Sequence, residues 1–84
     1  MNYNIKIAPL ADYYVIAIKD KKSGELIETF TLNESGTDML KLFVENKNAT
    51  TVAKQIAEMY DVSLEQVSKD VTALAEKLHK KGLL

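Results

Sequence analysis

The hydrophobic pattern of this chain changes its period once, at Leu32. Before that residue, residues 26–32 are assigned a two-residue period, with Leu26, Phe30 and Leu32 on one face and Ile27, Thr29 and Thr31 on the other, which is typical of a half-buried β-strand. After it, apolar residues recur every three or four positions in three successive segments, which is the period of amphipathic helices. The sequence therefore predicts an α+β fold in which a small antiparallel sheet precedes three α-helices.

Two or three strands are predicted before the change of period. Tyr13 to Ile18 is β-branched and aromatic, which suits a strand buried on both faces or at a dimer contact. The polar segment 20–24 contains the glycine of a reversing loop, and Leu26 to Leu32 follows as the next strand. A first strand is predicted from Asn2 to Ile7. It ends before Pro9, which lacks an N–H group and belongs at an end or edge.

Helices are predicted near residues 34–46, 51–60 and 64–81. Asn33 and Thr50 are the predicted N-caps of the first two, and Ser63 with Gln66 forms a capping box at the third. Gly82 suits the left-handed position that follows a last helical turn. Met59 is assigned to the apolar face of the second helix. The residues predicted to be buried are Val15, Phe30, Leu32, Leu40, Phe43, Val52, Ile56, Val71, Leu74 and Leu78.

Composition limits the classes of function. The 84 residues predict a single domain, residues 1–84. The chain has no cysteine, so it forms no disulfide or thiolate metal site. Its one histidine, His79, has no second histidine at metal-ligand spacing, and no serine has an evident base beside it in sequence. These observations predict a protein that is not an enzyme and needs no cofactor.

Charge and hydropathy give two further expectations. Eleven basic and twelve acidic residues give a net charge of -1, which weighs against a nucleic-acid binder. No segment approaches the roughly 20 apolar residues of a membrane span. Met1 to Leu10 also lacks the apolar run of a signal peptide, so a cytoplasmic location is expected.

The strand from Leu26 to Leu32 is predicted to be a usable sheet edge. It contains no proline and a single charge, Glu28, so little defends it against pairing with another chain. The third helix carries mostly small residues on one flank: Ser68, Thr72, Ala75 and His79. A peptide that adds to the strand would place alternate side chains in a slot beside this helix. The alternative is that the N-terminal segment or a second copy covers the edge.

Four motifs follow one another along the C-terminal two-thirds of the chain. They are Leu32-Asn33-x-x-Gly36, Met39-Leu40-x-Leu42, Thr50-Thr51-Val52-x-x-x-Ile56-x-x-x-Tyr60 and Asp70-Val71-x-x-Leu74-x-x-x-Leu78-x-x-x-Gly82-Leu83-Leu84. Their order and spacing resemble the coenzyme PQQ synthesis protein D (PqqD) family. The resemblance implies a winged helix-turn-helix domain that recognises the leader of a ribosomally made precursor peptide. It also implies a partner enzyme that modifies the peptide, often a radical S-adenosylmethionine enzyme.

The resemblance also implies which residues bind the peptide. In the family, the leader adds to the last strand of the sheet and lies against the third helix. Carried onto this chain, the contacts are Leu26, Ile27, Glu28, Thr29, Phe30 and Thr31 on the strand and Ser68, Thr72, Ala75 and His79 on the helix. The chain departs from the family where Asn46 to Ala49 replaces a glycine turn. It departs again at Ala75, where a larger apolar residue is common.

Two other functions stay open at this level. One is a winged-helix DNA-binding regulator, because the third helix carries Lys69, Lys77, Lys80 and Lys81. Glu65, Asp70 and Glu76 share that helix, however, so no clean basic stripe is present. The other is a structural dimerisation domain, in which the apolar strands Tyr13 to Ile18 of two copies would pair as a homodimer.

Overall fold

The computed structural model describes residues 3–45 and 47–84. Three strands, β1 (Tyr3–Leu10), β2 (Tyr13–Asp20) and β3 (Leu26–Leu32), precede three helices, α1 (Glu34–Val44), α2 (Ala49–Tyr60) and α3 (Leu64–Lys80). This order confirms the predicted α+β class with three strands. The predicted strand start at Asn2 and helix end at Asn46 lie outside the described residues. The chain divides into two compact units, the first ending at Glu34 and the second beginning at Ser35.

The first unit is an antiparallel sheet with the strand order β1-β2-β3. β2 is the central strand, so β1 and β3 are the two edges. β1 is longer than predicted, because it continues through Pro9, which pairs with Tyr14, to Leu10. An edge strand tolerates proline because one side of its backbone has no ladder partner. The predicted end of the strand at Ile7 was therefore wrong.

Burial in the sheet differs from the prediction at three residues. Ile16 and Ile18 of β2 are the buried residues, whereas Val15 is only half-buried because it points to the opposite face. Phe30 and Leu32 share the face of Ile16, since Phe30 pairs with Ile16. Both are half-buried rather than buried. They lie on an edge strand, which has a neighbouring strand on one side only.

The second unit contains the three helices, each of which carries several buried side chains. The phenolic oxygen of Tyr60 in α2 donates a hydrogen bond to the carboxylate of Asp38 in α1 at 2.5 Å. Met59 is exposed, so its predicted place on the apolar face of α2 was wrong. The buried residues of the unit are Thr37, Met39, Leu40, Phe43, Val52, Ala53, Ile56, Val67, Val71, Leu74 and Leu78.

The caps of α2 and α3 set their limits. Asn48, and not Thr50 as predicted, is the N-cap of α2, and its side-chain oxygen accepts a hydrogen bond from the Thr51 N–H at 2.8 Å. Ser63 caps α3 as predicted, because its hydroxyl oxygen accepts from the Gln66 N–H at 3.2 Å. Gly82 takes the predicted left-handed conformation, with φ 75.

Ala11, in the two-residue loop between β1 and β2, has a left-handed backbone with φ 56. This conformation costs a non-glycine residue about 1–2 kcal/mol, and glycine adopts it freely. We expect Ala11→Gly to raise the free energy of unfolding by up to about 1 kcal/mol, since the larger backbone entropy of glycine offsets part of the gain. Urea denaturation measures the change. The control, Ala8→Gly within β1, should lower stability, and an equal loss in both variants would contradict the prediction.

Candidate functional site

The outer edge of β3 is the first candidate surface. Within the sheet, β3 pairs with β2 alone, from Tyr14 opposite Leu32 to Lys19 opposite Leu26. An edge strand directs the N–H and C=O groups of alternate residues away from the sheet, where another strand can pair with them. β3 contains no proline and one charged residue, Glu28. The structure therefore confirms that the predicted strand is a sheet edge.

A β-bulge near the start of β3 alters which side chains it exposes. The register passes from Ile18 opposite Glu28 directly to Lys19 opposite Leu26, so Ile27 is the additional residue. Leu26 and Ile27 are 58% and 59% exposed. Thr29 and Thr31 are also exposed, whereas Glu28 and Phe30 are half-buried. Because of the bulge, Leu26 shares a face with Thr29 and Thr31, so its predicted place on the face of Phe30 and Leu32 was wrong. The two consecutive aliphatic residues at 26 and 27 were an unused signal of the bulge.

The loop between β2 and β3 is held by Asp20. Its carboxylate accepts hydrogen bonds from the backbone N–H groups of Ser23 and Lys22, both at 2.9 Å. These bonds, led by the one from Ser23, lower the pKa of Asp20 below its ordinary value of 3.8. Gly24 supplies the left-handed position of the same loop, with φ 75. The loop fixes where β3 begins.

Acid should loosen this loop. Because the pKa of Asp20 is lower in the folded chain, its carboxylate stabilises the fold above the unfolded pKa, and that contribution is lost as pH falls through the folded pKa. We expect a carboxyl NMR titration of Asp20 to give a midpoint below 3.8. Asp20→Asn retains an acceptor but no charge. The stability difference between the two proteins should therefore shrink as pH falls, and a constant difference would refute the assignment.

The flank of α3 is the second candidate surface, and the structure divides it between two cavities. Ser68 and Thr72 line a groove of about 180 Å³ between α2 and α3. The α2 side of this groove was missed by sequence reasoning, since it depends on how two helices pack; it is formed by Ala49, Thr50, Ala53 and Lys54. Ala75 and His79 instead line a shallow depression of about 380 Å³ with Leu84. The four predicted residues thus fall into two pairs.

The described part of the chain offers no group of three His, Cys, Asp or Glu side chains that could hold a metal ion. His79 is exposed at the end of α3. Across residues 3–45 and 47–84, no helix has both the length and the apolar character required to cross a membrane.

Comparison with known proteins identifies the family. The family model for coenzyme PQQ synthesis protein D (PqqD) matches residues 21–84. The chain belongs to the PqqD family. The matched region begins just after β2, so all ten predicted contact residues of this PqqD-family chain lie inside it. No curated protein sequence matches the chain.

Two solved structures share the fold of this PqqD-family chain. One is TbiB1 in complex with the TbiA(beta) leader peptide; it has a TM-score of 0.67 and 23% sequence identity, and the match covers 100% of this chain and 94% of that one. The other is lasso peptide synthetase B1 complexed with the leader peptide, with a TM-score of 0.64 and 21% identity. That match covers 98% of this chain and 95% of that one. At such identities the likeness establishes the fold.

Proposed function

We propose that this chain binds the leader of a ribosomally made precursor peptide and presents it to a modifying enzyme, without catalysing a reaction itself. The observation that carries the proposal is an edge strand with no proline, β3, in a member of the PqqD family. The solved structures that share the fold were both determined with a leader peptide bound, which supports the same role. The enzyme is a radical S-adenosylmethionine enzyme or another peptide-modifying enzyme. The chain and this enzyme act in the cytoplasm, where the ribosome makes the precursor.

Strand addition supplies the attraction in this proposal. An extended leader segment lies beside β3 and exchanges main-chain hydrogen bonds with residues 26–31. Each bond contributes about 0.5–1.5 kcal/mol net, so several are needed for a measurable affinity. Main-chain pairing is independent of sequence, and selectivity for one leader therefore has to come from side chains.

Side chains on two surfaces supply the selectivity. On the sheet, leader side chains lie beside those of β3. The β3 residues in contact are the exposed Leu26, Ile27, Thr29 and Thr31 and the half-buried Glu28 and Phe30. On the helical unit, Ser68, Thr72, Ala75 and His79 of α3 contact the other leader side chains. Each surface is tested by its own variants.

The deciding experiment is an NMR titration. The ¹⁵N-labelled chain is titrated with synthetic peptides that correspond to the leaders of candidate precursor peptides from the same organism. We expect amide shifts concentrated in residues 26–31 and at Ser68, Thr72 and Ala75. Affinity should change little with salt, because backbone bonds and apolar contacts are weakly screened. A duplex DNA added instead should produce no saturable shifts. Shifts confined to Lys69, Lys77 and Lys80, with a steep dependence on salt, would instead indicate a DNA-binding protein.

A larger side chain at Ala75 should weaken leader binding. Ala75 is half-buried and lines the depression beside the last turns of α3, so a phenylalanine ring there fills space that the leader side chains need. We expect Ala75→Phe to raise the Kd for the leader by about tenfold, equivalent to about 1.4 kcal/mol, which lies within the range of overpacking penalties. The matched control is Ala73→Phe, at an exposed position of the same helix. Equal affinities of the two variants would exclude Ala75 from the site.

A further inference from the structure

One face of the sheet combines six apolar residues with five polar or charged ones. Paired residues in neighbouring strands share a face, so the register defines four rows across it. The face that carries Val15 is called the outer sheet face. Its rows are Asn4 with Lys19 and Leu26; Lys6 with Ala17 and Thr29; Ala8 with Val15 and Thr31; and Leu10 with Tyr13.

The outer sheet face is open to solvent in the described structure. Leu10 is 52% exposed, and Tyr13 and Leu26 are also exposed. Val15 and Ala17, in the middle of the central strand, are half-buried. Antiparallel sheets normally place polar residues on the solvated face and apolar residues on the other. Here the opposite face already holds the buried Ile16 and Ile18, so the apolar residues of the outer sheet face are additional to the core.

The charges on this face are of one sign. Its four rows contain two lysines, Lys6 and Lys19, and no acidic residue. Charged groups around an apolar contact select partners with the complementary charge and disfavour partners with the same charge. We propose that the outer sheet face is the docking surface for the peptide-modifying enzyme, whose contact surface is apolar and edged by aspartate or glutamate side chains. This inference rests on the proposed function.

The same charges disfavour two other occupants. If a second copy stacked on this face, lysines would lie among lysines in a contact with no acidic residue to pair with them. Each basic residue near an anionic membrane surface contributes about 1 kcal/mol of attraction between protein and membrane, so the two lysines of this face would bind a membrane only weakly.

The outer sheet face extends to the edge strand β3, and this position also favours an enzyme as the occupant. A leader strand added to β3 becomes the fourth strand of the same sheet, and half of its side chains then continue the outer sheet face. An enzyme seated on this face would contact the sheet and the leader together.

The test uses the full chain and a purified radical S-adenosylmethionine peptide-modifying enzyme from the same organism. A photo-crosslinking residue, p-benzoylphenylalanine, replaces Tyr13 on the outer sheet face or, as the control, the exposed Met59 on α2. We expect a crosslink to the enzyme from position 13 and none from position 59. Crosslinks between two copies of the chain, equal crosslinks from both positions, or no crosslink to the enzyme would each overturn the proposal.

Charge reversal provides a second readout. The double variant Lys6→Glu with Lys19→Glu should weaken binding to the enzyme by at least tenfold, whereas Lys41→Glu with Lys69→Glu, the same charge change at two exposed lysines of the helical unit, should not. Both variants should bind the synthetic leader as the unchanged chain does. Enzyme binding unaffected by the first variant, or sedimentation with phosphatidylserine vesicles in place of enzyme binding, would refute the inference. Failure of the unchanged chain to bind the leader would instead refute the proposed function.

Discussion

Replacing Leu78 with alanine is expected to lower the free energy of unfolding by about 2–5 kcal/mol. Leu78 lies on α3 and is 0% exposed, so truncation removes apolar contacts on all sides and leaves a cavity. A chain of this length has a total stability of only about 4–13 kcal/mol, because stability scales at about 0.05–0.15 kcal/mol per residue. One substitution therefore removes a large share of it.

A matched control separates burial from helix propensity. Leu64→Ala makes the same change in the same helix, but Leu64 is 46% exposed. We expect it to cost less than about 1 kcal/mol, since about half of the side chain is already in contact with water. Urea denaturation followed by circular dichroism gives both values. Equal losses at the two positions would show that Leu78 does not lie in the core.

The second large effect is expected from proline on β3. Neighbouring residues of a strand direct their N–H groups to opposite sides, so of Glu28 and Thr29 one donates toward β2 and the other away from the sheet. Proline at the outward position removes a donor that the leader needs and adds a ring at the contact. We expect that variant to bind the leader at least about tenfold more weakly, with its stability nearly unchanged.

The other proline variant is the built-in control. It removes a hydrogen bond between β2 and β3, so it should lower the stability of the sheet. Amide hydrogen exchange in the unchanged chain shows beforehand which of the two N–H groups points outward, because outward amides exchange faster. If the outward variant binds the leader normally, strand addition at β3 is excluded. The leader would then have to bind elsewhere on the chain.

Local signals were sufficient to predict α3. Its start is fixed by a serine cap with a glutamine three residues later, its buried stripe by regular spacing, and its end by Gly82, and all three signals depend on nearby residues. The start of α2 was mispredicted because Asn48 and Thr50 are both good caps. The hydrogen bond from the Thr51 N–H to the Asn48 side chain, which only the structure reveals, decides between them.

The sheet was less predictable, because burial there depends on strands that are distant in sequence. Residues 13–18 are apolar without interruption, so their pattern does not distinguish the face of Ile16 from that of Val15. The edge position of β3 was predictable from chain order alone. The division of the α3 flank into two cavities was not, since it depends on α2 and on Leu84.

The two edges of the sheet are chemically unequal. β1 carries Pro9 and the exposed Lys6, both of which discourage further pairing, whereas β3 carries no proline. A sheet with two equally receptive edges can add copies of itself indefinitely and grow into a fibre. Here growth is favoured at β3 only. Copies of this sheet can therefore pair through β3 but are discouraged from continuing through β1, which disfavours growth into a fibre.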